Sequence, residues 1–160
     1  MAAARARGLA LVAATALLAP VAGGAQVTLT LAGAPSVFPA PTAADYNAGL
    51  VLNPAGITLT VDVVGGSNTR RTTIVAVRAT SPTLGGGKPV ADLEWRRADL
   101  AVWNPMTTGD VTIQQRRVRR NIRNDPWSNT VFFRVRLGWT TDPPATYGTN
   151  LVFTLTVTTP

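Results

Sequence analysis

The sequence predicts an all-β protein, a single antiparallel β-sandwich of about eight strands standing behind a cleaved secretion signal. Three observations lead there. Threonine, present 23 times, interleaves with Val, Leu, Ile and Phe in a two-residue rhythm, and β-branched side chains suit a pleated, half-buried surface. Turn-forming clusters recur between these stretches, and no segment beyond residue 25 sustains a helical period. The first 25 residues have a different composition from everything after them.

In that leading segment, Met1–Arg7 carries Arg5 and Arg7 and no acid, and Gly8–Ala19 is apolar. Pro20-Val21-Ala22-Gly23-Gly24-Ala25 ends in small residues that a signal peptidase accepts, so cleavage is expected after Ala25. The apolar run, about a dozen residues, falls short of the ~20 that span a bilayer as a helix. With no cysteine there is no lipobox thiol for a lipid anchor. The expected destination is the periplasm, the cell surface or the medium.

Residues 26–160 then form one domain, long enough to bury roughly two-thirds of its unfolded surface. It has neither disulfides nor a thiol nucleophile, so packing and hydrogen bonds must hold it. Without Arg5 and Arg7 it keeps 13 basic residues against 8 acids, a net charge of +5. Such a balance aids solubility and also suits anionic surfaces such as acidic glycans. Export argues against intracellular nucleic acid as a partner.

The strands follow from alternation. Val27, Leu29 and Leu31 alternate with Thr28 and Thr30, giving a strand over Gln26–Gly33 at the mature N-terminus. Pro35–Tyr46 reads as an irregular connection, and Ala43–Gly49 as one short turn of helix. Ile57, Leu59, Val61 and Val63 define the next strand after a turn at Asn53-Pro54-Ala55-Gly56. Weaker strands are expected at Thr72–Thr80, Ala91–Arg96, Asp99–Trp103 and Val111–Arg119. Val131, Phe133, Val135, Leu137 and Trp139 form the clearest apolar face, and Leu151, Phe153, Leu155 and Val157 close the chain. Trp95, Trp103 and Trp139 are expected in the core.

Chemistry-bearing residues are sparse. There is no histidine, which removes the commonest general base, the commonest metal ligand and any Ser-His-Asp triad. Lys88 follows Gly85-Gly86-Gly87 in an expected loop, without the Ser-x-x-Lys spacing of a Ser–Lys dyad. Asp92 and Glu94 share a strand face as a glycosidase pair would, but the alternation of Asp92-Leu93-Glu94-Trp95-Arg96 is that of an ordinary half-buried strand, with Arg96 and Arg97 as ion-pair partners. Asp45 with Asn47, and Asn124 with Asp125, are the local oxygen clusters that calcium would favour, yet such residues in turns usually cap their own backbone. No enzyme activity, cofactor or metal is expected.

The basic run Arg116-Arg117-Val118-Arg119-Arg120-Asn121-Ile122-Arg123 is the most distinctive feature of the mature chain. Arg116, Arg117, Arg119, Arg120 and Arg123 could form an anion-binding patch, or could mark an edge strand whose charges deter sheet-to-sheet pairing. Trp127, in the expected hairpin loop Asn124–Asn129, could stack on a sugar or partner, or fold back over the core.

Two stretches carry a family likeness: Thr42-Ala43-Ala44-Asp45-Tyr46-Asn47-Ala48-Gly49, and Pro144-Ala145-Thr146-Tyr147-Gly148-Thr149-Asn150 leading into Leu151–Val157. Together they resemble small secreted bacterial β-sandwich proteins of the spore-coat-U and fimbrial-subunit type, although the cysteines of many such subunits are missing. The resemblance implies an immunoglobulin-like fold and a surface or appendage role. The expectation is therefore an exported structural or adhesive protein that self-associates or meets another surface protein, with Gln26–Gly33 as a strand that a neighbour could borrow. The rival expectations are a secreted module for anionic glycan or envelope polymer, using the arginine run and Trp127, and an exported carboxylate-dependent hydrolase.

Overall fold

The structure, a computed structural model, describes residues 10–12, 14–17, 26–33, 36–64, 71–118, 127–143, 145 and 147–158. In chain order the strands are β1 (Ala10–Val12), β2 (Ala14–Leu17), β3 (Gln26–Ala32), β4 (Ser36–Phe38), β5 (Leu50–Val64), β6 (Arg71–Ala79), β7 (Leu93–Arg97), β8 (Asn104–Pro105), β9 (Val111–Val118), β10 (Trp127–Arg136) and β11 (Leu151–Thr158). One helix, α1 (Ala43–Ala48), and a 3-10 turn at Val90–Asp92 complete the described elements.

The strands build an all-β sandwich. One sheet runs β3-β5-β10-β7-β8 and the other β2-β11-β6-β9, while β1 and β4 pair separately. All pairings are antiparallel except that of β11 with β2. The alternation read from the sequence sets the inward faces. Ile57, Leu59, Val131 and Phe133 of the first sheet and Val77, Leu151 and Phe153 of the second are all fully buried in one shared core. No helix of the described residues is long and apolar enough to cross a membrane.

Gln26–Gly33 is docked within its own domain: β3 pairs with β5 residue by residue from Gln26 opposite Val64 to Ala32 opposite Thr58. Ala43–Gly49 forms the expected helical turn. Thr42 caps it, accepting from the Asp45 backbone N–H at 3.3 Å while the Asp45 carboxylate accepts from the Thr42 N–H at 2.7 Å.

Pro35–Tyr46, expected as an irregular connection, contains the short strand β4, and four further expectations fail for local reasons. Asn53–Gly56 is no turn between strands but a bulge inside the long β5. Opposite it, Val131 pairs with Ile57 and Phe133 with Asn53, so β5 spends more residues than β10 over the same rise. The Asn53 carboxamide oxygen accepts from the N–H groups of Ala55 (2.8 Å) and Gly56 (3.3 Å), and Gly56 takes φ +68°. A Cβ there would lie 2.8 Å from the Val131 carbonyl, which is why the position needs glycine. Asp99–Trp103 is not a strand. Leu100 donates back to the Arg97 carbonyl (3.2 Å) and Asn129 clasps the segment from β10, leaving only the two-residue β8.

The third and fourth concern tryptophans. β10 stops at Arg136, where the Leu137 N–H turns to the Gly49 carbonyl at 2.8 Å, so Trp139 leaves the strand and is 60 % exposed. Trp103 sits half-buried on the outer face between the guanidinium groups of Arg134 (4.4 Å) and Arg96 (5.1 Å). Trp95, at 3 % exposure, is the tryptophan that meets the core expectation.

Candidate functional site

Arg116 and Arg117 lie on β9, at the edge of its sheet, paired with Thr73 and Thr72 of β6. Arg117 is exposed and Arg116 half-buried, so alternation divides their charge between two faces. Arg119, Arg120 and Arg123 lie outside the described residues, as do Asn124 and Asp125. Trp127 is the first residue of β10, opposite Val61, and packs against the core rather than standing at a loop tip. β9 and β10 belong to different sheets, so the arginines of β9 and Trp127 do not share a sheet face.

The acids expected to pair with Arg96 and Arg97 pair with arginines of β10 instead. Glu94 accepts from Arg134 at 2.6 Å, and Asp92 from Arg136 at 2.9 Å. Arg96 turns to Trp103 and Phe132, while Arg97 chelates Asp99 and donates to the Ile113 carbonyl at 3.1 Å. Ile113 is the bulged residue of β9, so Arg97 ties the two sheets by satisfying a carbonyl that the ladder leaves over. Arg97 and Asn129 hold the Asp99 carboxyl down at about 2.

The polar centre is Lys88. Gly85, Gly86 and Gly87 all take positive φ, a conformation that only glycine adopts three times running, and the tight loop turns Lys88 inward. Its side chain, 3 % exposed, reaches Asp142 at 2.8 Å and Asp92 at 3.0 Å, with the Tyr147 ring 5.7 Å from the ammonium. Burial pushes the Asp142 carboxyl up, but hydrogen bonds from Lys88 and the Gly138 N–H outweigh that and hold it below the usual range. Burial and the Asp142 charge push the Tyr147 phenol up.

This ion pair fastens the turn that presents Trp139. The Asp142 N–H donates to the Gly138 carbonyl (3.0 Å), and the Gly138 N–H donates to the Asp142 carboxylate (2.7 Å). The Tyr46 hydroxyl, from α1, donates to the Asp142 carbonyl at 3.1 Å. The Trp139 indole lies against Tyr46, centroids 4.8 Å apart and planes tilted 30°, and its Nε1–H donates to Asn47 Oδ1 at 3.0 Å. Asp45 and Asn47, one of the local oxygen clusters that calcium would favour, thus serve as a helix cap and an indole anchor. Leaving more than half of a tryptophan in water forgoes about 3 kcal/mol of burial. Sequence reasoning missed this site because a period-2 count carried Trp139 into the core.

Among the described residues no group of three or more acids converges on a metal position. A shallow apolar cleft between Phe38, Pro41, Val51, Val135 and Tyr147 opens at the same end of the sandwich. Neither a protein-family model nor a curated protein matches the chain.

Proposed function

We propose that this chain is an exported, non-enzymatic structural or adhesive protein of the periplasm or cell surface, a subunit of fimbrial or coat kind that joins its neighbours by strand addition. The observation that carries this reading is the unequal treatment of the two edges of the β2-β11-β6-β9 sheet. At one edge, β9 bears Arg116 and Arg117, and charged edges oppose pairing with another sheet. At the other, the apolar final strand β11 is covered over Leu151–Thr154 by Ala14–Leu17, residues that belong to the expected leader. Loss of the leader leaves β11 with one unpaired side. A neighbour's extended segment supplies main-chain hydrogen bonds there, and the buried alternation of Leu151, Phe153 and Leu155 fixes its register.

Sedimentation velocity of residues 26–160 tests the reading. The expected result is concentration-dependent association that a peptide spanning residues 10–18 reverses. A species that stays monomeric at every concentration and does not take up the peptide would overturn it.

The position of Arg117, exposed on an edge strand, favours a second reading: a secreted module for anionic glycan or envelope polymer. It calls for binding that weakens with salt and is lost when Arg116, Arg117, Arg119 and Arg120 are changed together.

A further inference from the structure

We propose that Trp139 is the floor of a binding site for a neutral pyranose sugar, an indole pinned by Tyr46 and Asn47 at the tip of the turn closed between Gly138 and Asp142. The proposal depends neither on export nor on strand addition.

The ring is held from two directions. Tyr46, itself buried at 8 % exposure, backs it at 4.8 Å, and Asn47 Oδ1 takes its only polar hydrogen at 3.0 Å. The turn below is closed by reciprocal bonds between Gly138 and Asp142, and Asp142 is anchored by Lys88 at 2.8 Å. A surface tryptophan of this kind has already lost its rotamer freedom, so a ligand does not have to order it. A residue meant only to cover the core would be buried, as Trp127 partly is; Trp139 is 60 % exposed.

The chemistry offered selects the ligand. With the N–H engaged and one face backed by Tyr46, the indole presents its remaining π-face and carbon edge. An apolar C–H face of a pyranose complements such a surface, while its rim of hydroxyl groups needs hydrogen-bonding neighbours. Thr140 and Thr141, next along the turn, are both exposed. The surroundings favour a neutral sugar over an anionic one. The Asp45 carboxyl, two residues from Asn47 on α1, is held below its ordinary range by the Thr42 N–H and hydroxyl and stays ionised. Arg136, at the adjoining end of β10, is engaged by Asp92 at 2.9 Å.

The test is a titration of the 15N-labelled full chain with cellohexaose, chitohexaose and maltohexaose, with a heparin hexasaccharide as the anionic comparator. The expected result is a saturable shift of the Trp139 indole N–H with at least one neutral oligosaccharide, with the indole signals of Trp95 and Trp103 unmoved. Trp139→Ala should weaken that binding about tenfold or more without moving the unfolding midpoint by more than a side chain on the surface would. Trp139→Phe should retain part of it. No shift with any neutral oligosaccharide, a shift with heparin alone, or undiminished binding by Trp139→Ala would each overturn the proposal. So would an effect of Trp139→Ala confined to self-association, which would make the ring a protein contact.

Discussion

Replacing Lys88 by Met keeps an aliphatic stem of similar length and removes one buried charge. The side chain is 3 % exposed and bridges Asp142, whose side chain is 8 % exposed, and Asp92, at 22 %. Asp92 retains Arg136 as a partner, but Asp142 would be left with the Gly138 N–H and the Thr141 hydroxyl and no cation among its described bonds. Removing one member of a buried ion pair costs about 3–5 kcal/mol, most of it the desolvation of the charge left behind. Against a total stability of about 5–15 kcal/mol that is a large fraction, readable as a lower midpoint in urea.

The pH dependence makes the test specific. In the parent chain the Asp142 carboxyl is depressed when folded, so its contribution is present above the unfolded value of 3.8 and is lost as pH falls through the depressed one. In Lys88→Met, desolvation acts without its counterweight and the carboxyl rises when folded, so protonation relieves the strain. The stability gap between the two proteins should therefore narrow as pH drops, and Lys88→Met with Asp142→Asn should recover part of the loss at neutral pH. A deficit below about 1 kcal/mol that stays constant with pH would refute the reasoning.

Two further outcomes follow from the same geometry. Gly56→Ala should destabilise by about 2–4 kcal/mol in urea unfolding, since φ +68° is strained for alanine and its Cβ would meet the Val131 carbonyl at 2.8 Å. Asp99 is half exposed, so its depressed carboxyl, at about 2, is worth no more than about 1 kcal/mol after screening. That contribution should fade between the unfolded value of 3.8 and about pH 2, and Asp99→Asn should remove this part of the acid sensitivity.

Much of the sandwich was legible because its alternation is local. Ile57–Val63, Val131–Val135 and Leu151–Leu155 each announce an inward face without knowledge of a partner. What stayed hidden depends on residues distant in sequence. Asn53-Pro54-Ala55-Gly56 has the composition of a turn, and only the pairing of both its flanks with β10 makes it a bulge. Arg96 and Arg97 are nearer Asp92 and Glu94 in sequence, yet the register that puts Arg134 opposite Glu94 decides the ion pair. Lys88 reads as a loop residue because nothing nearby reveals that Asp142 returns to it. Trp139 fails by two residues, since the periodicity continues past the point where the Leu137 N–H bends to Gly49. Edge character was also partly visible: the basic run that would suit an edge strand does begin on one, β9.

The proposed strand addition at the free side of β11 is tested most directly by hydrogen exchange in residues 26–160 at rising protein concentration. The account predicts that amides of Leu151–Thr154 pointing away from β6 exchange rapidly in dilute solution and become protected as molecules associate, while those bonded to β6 stay protected throughout. Equal protection of both sets at every concentration would contradict it.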